Sequence, residues 1–318
     1  MQHAKHFPDP ELRLQASARP YTGRFAPSPT GALHRGSLVA ALASWLDARA
    51  HQGRWLVRIE NIDTMRCQPD AAQEILRQLA CFGLIADETP VYQIQRTSLY
   101  ESILEKLILE KKAYLCCCTR SQIIHKMDEN GKPHKRHTAL VYPGTCRPEN
   151  GGLTPGQAPR AWRFYLPAHP QCLVHWNDRR LGEQKQQVDE TVGDFVLKRA
   201  DGIWAYQLAV VADDIEQGIT SVVRGEDIAD NTARQILLYK ALGYLPPDYL
   251  HTPLVRMPDG EKLSKQHGAP AVSTEHPIEE LNMAASVLGL PQSTHSQIHQ
   301  ALQTWVSHWA RQYKIPMS

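Results

Sequence analysis

One segment near the beginning of the chain constrains the fold more than any other. Arg24–Ala26 has the pattern of a short strand and enters a proline-rich turn, after which Ser37 is a plausible N-cap for an Ala/Leu-rich helix over Leu38–Arg49. Gly53 ends that helix, and the alternation in Trp55–Glu60 predicts a second strand. Two strands joined by a helix lie parallel, so the chain is predicted to have an α/β fold with a parallel sheet.

Further elements are predicted from apolar spacing along the rest of the chain. Helical spacing predicts helices over 70–84, 98–112 and 229–242, and an amphipathic helix that contains 298–309. Strands are predicted over 162–166, 173–176, 195–199, 203–208 and 219–224. Asp201-Gly202 predicts a hairpin turn between the third and fourth of these strands. Residues 116–160 are rich in Cys, His, Lys, Gly and Pro, which indicates an insertion.

Charge and hydropathy exclude several classes of protein. The 318 residues include 35 Lys+Arg and 33 Asp+Glu, and this net charge of +2 excludes a uniformly basic nucleic-acid binder while leaving room for a local basic path. The chain contains no run of about 18 apolar residues, and residues 1–20 lack the apolar stretch of a secretory signal. We therefore expect a cytoplasmic protein without a membrane partner.

Two short segments carry residues suited to a polyphosphate. His34 and Gly36 come just before a helix N-terminus at the carboxyl end of a parallel strand, where free backbone N–H groups attract phosphate oxygens. Lys262 and Lys265 flank Ser264 in a polar loop and could neutralise charge that develops on a triphosphate. Taken singly, each segment has an ordinary alternative: a turn with an incidental histidine, or a solvated lysine-rich loop.

Taken together, the two segments resemble the signatures of a known enzyme class. Arg24–Ser37 resembles the glutamyl/glutaminyl form of the "HIGH" motif of class I aminoacyl-tRNA synthetases, and Lys262–Gln266 resembles the "KMSKS" motif. Three more segments resemble a strand end and amino-acid pocket of glutamyl-tRNA synthetases: 59–63, 205–209 and 222–227. The resemblance covers roughly residues 21–268 and implies a Rossmann-like, parallel-sheet class I synthetase catalytic domain.

The resemblance also implies a reaction and its residues. The α-carboxylate of L-glutamate would attack the α-phosphorus of ATP, with Mg²⁺ bridging the phosphates. His34 and Lys265 would be the catalytic residues, and the ATP site would comprise His34, Gly36, Lys262 and Lys265. Position 35 is Arg, position 37 is Ser and position 61 is Asn, all departures from the family pattern.

A glutamate pocket needs groups for one ammonium and two carboxylates. Glu60 would bind the ammonium, Arg24 and Arg224 the carboxylates, and Tyr206 would offer a hydroxyl. The backbone around them would line the pocket at Phe25, Ala26, Pro27 and Ser28. Without the resemblance, either arginine could be an ordinary surface residue, and Tyr206 an ordinary strand aromatic.

The cysteines predict a metal site. Cys116, Cys117 and Cys118 are consecutive, and an odd total of seven in a chain without a secretory signal indicates reduced thiols rather than disulfides. With Cys146 they offer up to four thiolates for a tetrahedral ion. On an extended segment Cys116 and Cys118 point to one face and Cys117 to the other, which favours the first two as ligands.

A truncated branch of the family, the glutamyl-Q tRNA(Asp) synthetases, consists of the catalytic domain with a zinc-binding insertion, and the chain resembles it. Its Cys-x-Cys and Tyr-x-x-x-Cys pattern implies that one structural Zn²⁺ is held by Cys116, Cys118, Tyr142 and Cys146. A histidine from the intervening loop could replace Tyr142: His125, His134 or His137.

That branch activates glutamate with ATP without tRNA and attaches it to the queuosine base at the wobble position of tRNA(Asp). Only residues 266–318 follow the second lysine, so we expect no anticodon-binding domain. The expected partners are ATP, L-glutamate and queuosine-containing tRNA(Asp), bound by a monomer. The alternatives are a truncated synthetase that charges the terminal adenosine of tRNA(Glu), and a non-catalytic descendant that binds RNA or a nucleotide.

The resemblance divides the chain into five parts. They are an N-terminal tail (1–20), the first half of the catalytic domain (21–115), a zinc-binding and acceptor-type insertion (116–200), the second half of the catalytic domain with the lysine loop (201–268), and a short helical C-terminal segment (269–318).

Overall fold

The computed structural model describes residues 19–129, 131, 140–154, 156–255 and 270–316. Its strands are β1 (Thr22–Phe25), β2 (Arg54–Ile59), β3 (Val91–Tyr92), β4 (Ala113–Cys116), β5 (Ala161–Phe164), β6 (Leu173–Asp178), β7 (Gly182–Gln187), β8 (Val196–Lys198), β9 (Ser221–Gly225) and β10 (Asp248–Thr252). Its α-helices are α1 (Arg35–Ala50), α2 (Ala71–Cys81), α3 (Thr97–Leu109), α4 (Arg120–Glu129), α5 (Val188–Thr191), α6 (Tyr206–Glu216), α7 (Thr232–Leu242), α8 (Pro277–Val287) and α9 (Ile298–Gln312).

Parallel strands form the centre of the molecule, as the sequence predicted. β1, β2 and β3 are parallel neighbours in that order. β9 lies on the other side of β1, where the Thr220 N–H donates to the Thr22 carbonyl at 2.9 Å. β9 pairs in parallel with β10, and β10 with β6, while β7 closes this edge as an antiparallel hairpin with β6. The carboxyl ends of β1, β2 and β9 therefore open on one side of the sheet.

A second unit is built on the antiparallel sheet β4-β5-β8 and helix α4. It has a small core of its own, made of Tyr114, Cys116, Ile123, Met127, Tyr142 and Cys146. Gly193 allows its own segment to pass close to the backbone of Tyr142. Its φ is +71°, and an added Cβ would lie 2.2 Å from the Tyr142 carbonyl oxygen. This close approach fixes the backbone of Tyr142.

Helix α1 is buried along most of its length, packs against β1 and β9, and is covered by α8 and α9. A fully buried carboxylate near its C-terminal end, Asp47, accepts four hydrogen bonds from three different parts of the chain. The donors are the Tyr21 hydroxyl at 2.6 Å, the two terminal nitrogens of Arg179 at 2.6 and 2.9 Å, and the Trp309 indole at 2.8 Å.

Two local predictions were wrong. Residues 203–208 were predicted as a strand, but only Trp204 makes a bridge, to Lys198, before α6 begins at Tyr206. Ser37 was predicted as the N-cap of α1, but the helix begins at Arg35 and His34 caps it. Among the residues that the structure describes, we find no helix long and apolar enough to cross a membrane.

Candidate active site

A pocket of about 470 Å³ lies at the carboxyl ends of β1, β2 and β9, beside the N-termini of α1 and α6. Open parallel sheets bind ligands at this edge. Every described residue that the sequence predicted for the nucleotide or the glutamate lines it: Arg24, Phe25, Ala26, Pro27, Ser28, His34, Gly36, Glu60, Tyr206 and Arg224.

His34 forms the N-terminal cap of α1. Its Nδ1 accepts a hydrogen bond from the Ser37 backbone N–H at 3.2 Å, and its Nε2 lies 3.2 Å from the Ser37 hydroxyl. Gly36 permits this arrangement, because a Cβ there would lie 3.0 Å from the His34 ring. The cap leaves the ring at the positive end of the helix dipole, where an anion is favoured.

Lys262 and Lys265 lie outside the described residues. The described segments that come before and after these two lysines in the sequence both reach the pocket. Val255 lines it, and Ala271 pairs with His34 in an antiparallel bridge.

A buried group of ion pairs lies beside the pocket and includes two of its lining residues, Arg24 and Glu60. The Arg24 Nε–H lies 3.2 Å from an Asp214 carboxylate oxygen, and the same oxygen is 2.7 Å from Arg58 Nη2. Burial alone would raise the pKa of Asp214, but the Arg24 and Arg58 guanidinium groups outweigh that effect and hold this pKa below its ordinary value. Arg58 also lies 3.4 Å from Glu60 and 3.5 Å from Asp213.

Glu60 has the environment of a group that changes charge near neutral pH. Its side chain is 9% exposed at the end of β2. Burial raises the pKa of Glu60 to about 7, although Arg58 and Arg24 act in the opposite direction. An ammonium bound beside this carboxylate would favour its ionised form.

Three charged residues of this group were not predicted from the sequence: Arg58, Asp213 and Asp214. Asp213 accepts hydrogen bonds from the Gln93 amide at 2.7 Å and from Arg96 Nε at 2.6 Å, and so ties the segment after β3 to α6. One signal was available: charged residues inside apolar runs, Leu56–Ile59 and Val210–Asp214, are seldom buried unless they are paired.

Arg224 has a different environment from Arg24 and Arg58. Its Nε–H donates to His251 Nε2 at 3.0 Å, and its two terminal nitrogens donate to Gln235 Oε1 at 2.8 Å and to Thr232 Oγ1 at 2.9 Å. Within the part of the chain that the structure describes, no carboxylate lies within 4.0 Å of the Arg224 guanidinium. Its charge is therefore available to an anion in the pocket.

The departures from the family pattern at positions 35 and 61 have partners in the structure. Arg35 makes an ion pair with Glu280 of α8, with Nε 3.2 Å from a carboxylate oxygen. The Asn61 side-chain oxygen accepts the Ile94 backbone N–H at 3.0 Å and holds the segment after β3.

A cluster of sulfur atoms lies in the antiparallel unit. The Sγ atoms of Cys116, Cys118 and Cys146 all lie within 4.8 Å of one another, and those of Cys118 and Cys146 are 3.5 Å apart. The Tyr142 hydroxyl oxygen is 3.3 Å from the Cys116 sulfur and 3.9 Å from the Cys118 sulfur. Sulfur ligands of a tetrahedral Zn²⁺ are separated by about 3.8 Å, so the four atoms fit such an ion.

The surroundings of the cluster act differently on its thiols, since burial and the neighbouring Cys146 sulfur raise the pKa of the Cys118 thiol to about 12. Burial alone would raise the pKa of the Cys146 thiol, but hydrogen bonds from the Cys117 backbone and from Tyr142 lower it to about 7. The Arg163 guanidinium stacks 3.7 Å from the centre of the Tyr142 ring, so a cation faces the phenol.

Cys117 and the candidate histidines are placed differently. The Cys117 sulfur approaches the Cys146 sulfur at 3.7 Å, although the extended geometry predicted that it would point away. His125 is largely exposed on α4 and lies 3.1 Å from Glu129, away from the sulfur atoms. His134 and His137 lie outside the described residues.

Comparisons with known proteins agree on the family. Residues 21–288 match the family described as tRNA synthetases class I (E and Q), catalytic domain. The chain is 57% identical over 289 residues to a glutamyl-Q tRNA(Asp) synthetase of Leptothrix cholodnii, covering 91% of this chain and 96% of that protein. It is 54% identical to one of Albidiferax ferrireducens, covering 91% and 98%. The chain belongs to the glutamyl-Q tRNA(Asp) synthetase family.

Solved structures show the same fold in a longer protein. A glutamate tRNA ligase of Elizabethkingia meningosepticum, solved in complex with its amino acid, superimposes with a TM-score of 0.72 at 28% identity. The match covers 84% of this chain and 60% of that one. A glutamate-tRNA synthetase of Elizabethkingia anophelis gives the same TM-score, and the match covers 61% of that chain. This family membership accounts for the Rossmann-like sheet that the sequence predicted.

Proposed function

We propose that the chain activates L-glutamate with ATP in the absence of tRNA and then transfers it to the queuosine base of tRNA(Asp). The observation that carries the proposal is the pocket at the carboxyl ends of β1, β2 and β9. It combines a capped helix N-terminus for phosphate with a buried carboxylate and a guanidinium that has no carboxylate partner among the described residues. The names of the relatives described above supply the acceptor.

In the first step a glutamate carboxylate attacks the α-phosphorus of ATP and pyrophosphate leaves. His34 at the N-terminus of α1 stabilises charge on the triphosphate, and Gly36 keeps the backbone open to it. Lys262 and Lys265 are assigned to the same task from their sequence alone. Mg²⁺, which class I synthetases use with ATP, would supply further positive charge to the triphosphate.

The amino acid is held by groups of opposite charge. Glu60 accepts the ammonium, and Arg224 binds a carboxylate with its remaining donor capacity. Arg24 is paired with Asp214 through Nε, so it contributes to a carboxylate site only through its terminal nitrogens. Tyr206 begins α6 at the pocket wall and offers its hydroxyl, while Phe25, Ala26, Pro27 and Ser28 line the other side.

We further propose that Cys116, Cys118, Tyr142 and Cys146 hold one Zn²⁺, and that the ion fastens the insertion of residues 116–200. The donor set supports this assignment, because four soft or ionisable atoms converge in a small core of their own. All four positions of a tetrahedral ion would be occupied by protein atoms, which is typical of structural zinc.

Two assays test the proposed reaction. Glutamate-dependent exchange of pyrophosphate into ATP, run without tRNA, should be positive, and its absence would overturn the activation step. Transfer of labelled glutamate should then occur to tRNA(Asp) that contains queuosine and not to unmodified tRNA(Asp). Labelling of tRNA(Glu) at its terminal adenosine would favour a truncated charging enzyme instead.

The zinc assignment has a separate test. The purified protein should contain one zinc per chain by elemental analysis, and a Cys116→Ser, Cys118→Ser double variant should lose it. A Cys81→Ser variant serves as the control, because Cys81 lies on α2, outside the sulfur cluster. Full retention of zinc in the double variant would refute the ligand assignment.

A further inference from the structure

We propose that His251, oriented by Asp178, is a positioning residue that holds Arg224 in the pocket as a cation with no carboxylate partner among the described residues. The inference deepens the proposed function, since it rests on Arg224 receiving a carboxylate of the substrate. His251 lies on β10, behind Arg224, and is completely buried. It is not among the residues that line the pocket, so it acts through Arg224.

The hydrogen bonds assign the position of the proton on the His251 ring. A guanidinium can only donate, so the 3.0 Å contact from Arg224 Nε requires His251 Nε2 to be an acceptor. The neutral ring must then carry its proton on Nδ1, which lies 2.6 Å from an Asp178 carboxylate oxygen. Asp178 thus selects the tautomer, and the tautomer provides an acceptor for Arg224.

Asp178 is itself fixed in place. One of its oxygens accepts the Leu181 backbone N–H at 2.8 Å and the Arg180 backbone N–H at 3.0 Å, in the turn between β6 and β7. Its other oxygen accepts the His251 backbone N–H at 3.1 Å. The carboxylate is 1% exposed, so water does not compete for these contacts.

The groups that face His251 keep it neutral. Burial lowers the pKa of His251, and the charges of Arg224 on β9 and Arg180 act in the same direction, whereas Asp178 on β6 opposes them. Tyr249 on β10 stacks with the ring at a centroid distance of 6.1 Å, and the Thr232 hydroxyl on α7 lies 3.4 Å from Nε2. A neutral ring holds the guanidinium in position without neutralising it.

A carboxylate placed directly on Arg224 would give the same orientation but would compete with the substrate for the charge. The arrangement seen here moves the negative charge of Asp178 one side chain further away. Arg224 therefore keeps three ordered contacts to uncharged acceptors and presents its full charge to the pocket.

The first test is spectroscopic and needs no substrate. Nitrogen NMR of histidine-labelled protein at pH 7.5, with the His251 signals assigned by their loss in His251→Gln, should show a neutral ring protonated on Nδ1. In Asp178→Asn, the side-chain oxygen keeps the two turn N–H groups while the amide donates to Nδ1, so the proton should move to Nε2. A wild-type ring protonated on Nε2, or on both nitrogens, would overturn the proposal.

The second test separates positioning from stability. In glutamate-dependent pyrophosphate exchange, Asp178→Asn and His251→Ala should raise KM for glutamate about 10- to 100-fold, with KM for ATP unchanged. His251→Gln keeps an acceptor for Arg224 and should raise it less. His175→Gln, exposed on the same strand as Asp178, is the matched control and should leave both constants unchanged.

The outcomes distinguish this proposal from the proposed function. A lower kcat with an unchanged KM for glutamate in folded variants would refute the positioning role. If the wild-type chain shows no glutamate-dependent exchange at all, the proposed function fails, and the tautomer measured in the ligand-free protein still decides the arrangement of Asp178 and His251.

Discussion

Two groups of buried arginines stand at the same pocket, and they are compensated in opposite ways. Arg24 and Arg58 contact the carboxylates of Asp214 and Asp213, and Arg58 also approaches Glu60. Arg224 is also buried, but among the described residues its guanidinium contacts uncharged groups: a histidine, an amide, a hydroxyl and the ring of Tyr249. The first group joins β1, β2 and α6 into one structure, whereas Arg224 has no carboxylate partner within the described part of the chain.

The difference shows that one pocket can combine charges that are paired within the protein with a charge that is available to a ligand. Buried charges are costly unless they are paired, and the first group meets that cost within the protein. Arg224 is hydrogen-bonded, which limits the desolvation cost, but it is not neutralised until an anion arrives. The comparison predicts that the two groups respond differently to substitution.

The largest effect is expected from breaking the ion-paired group. Asp214→Asn removes the carboxylate shared by Arg24 and Arg58 and leaves two buried cations without adequate compensation. The free energy of unfolding should fall by about 3–5 kcal/mol, measured by urea denaturation. Asp201→Asn in the exposed turn before α6 is the control. A loss below about 1 kcal/mol would mean that these charges are not effectively buried.

The next largest effect is expected from removing the charge of Arg224. Arg224→Gln leaves no buried charge unpaired, so its free energy of unfolding should change by less than about 2 kcal/mol. Glutamate-dependent pyrophosphate exchange should nevertheless fall at least about 100-fold in kcat/KM, because a charge-assisted contact to the substrate is lost. If stability fell as much as in Asp214→Asn, the distinction between the two groups would be wrong.

Glu60, which lies beside Arg58, predicts that KM for glutamate depends on pH. It must be ionised to bind an ammonium, and its pKa is about 7 in the folded chain. KM for glutamate should therefore rise about tenfold for each pH unit below 7 and level off above it. In Glu60→Gln the KM should be higher throughout and this dependence should disappear. If KM for glutamate in Glu60→Gln still rose below pH 7, the titration would belong to another group.

The same pKa has a consequence for stability. The folded-state pKa of Glu60 is raised above its ordinary value of 4.5, so between these values the folded chain binds more protons than the unfolded chain. The contribution of Glu60 to the free energy of unfolding therefore decreases as pH rises from 4.5 through 7. Comparing wild type with Glu60→Gln over this range by urea denaturation isolates that slope.

The smallest effect concerns a single neutral acceptor of Arg224. Thr232→Val removes the hydroxyl that accepts from Arg224 Nη2 and keeps the size of the side chain. We expect KM for glutamate to rise about 2- to 10-fold, the range for one hydrogen bond. Thr232→Ser retains the hydroxyl and should stay close to wild type. Equal KM values in the two variants would mean that this contact does not hold Arg224.

The sequence was sufficient for features that depend on local spacing. The strand–helix–strand unit, the two strands Arg54–Ile59 and Ser221–Gly225, and helix α9 follow from apolar periodicity that survives in the folded chain. The sequence-predicted pocket residues also line one cavity, because motifs at the ends of parallel strands converge at one edge.

Other features depend on contacts between distant segments and could not be predicted locally. Residues 203–208 alternate like a strand, yet Tyr206 begins a helix that is buried against α3 and α7. Cys117 follows the last residue of β4, and its sulfur lies 3.7 Å from that of Cys146, a contact that alternation along an extended strand does not predict. The partners of Arg224 come from β10 and α7, and no spacing rule links position 224 to position 251.

Asp47 gives helix α1 an anchor at the end opposite His34. Its four donors come from the chain before β1, the turn after β6 and helix α9, so α1 can neither rotate about its axis nor slide along it without breaking bonds to all three. The end of the helix that we propose binds phosphate is thereby held in place from its far end. We therefore expect that substitution of Trp309 misaligns the proposed triphosphate site.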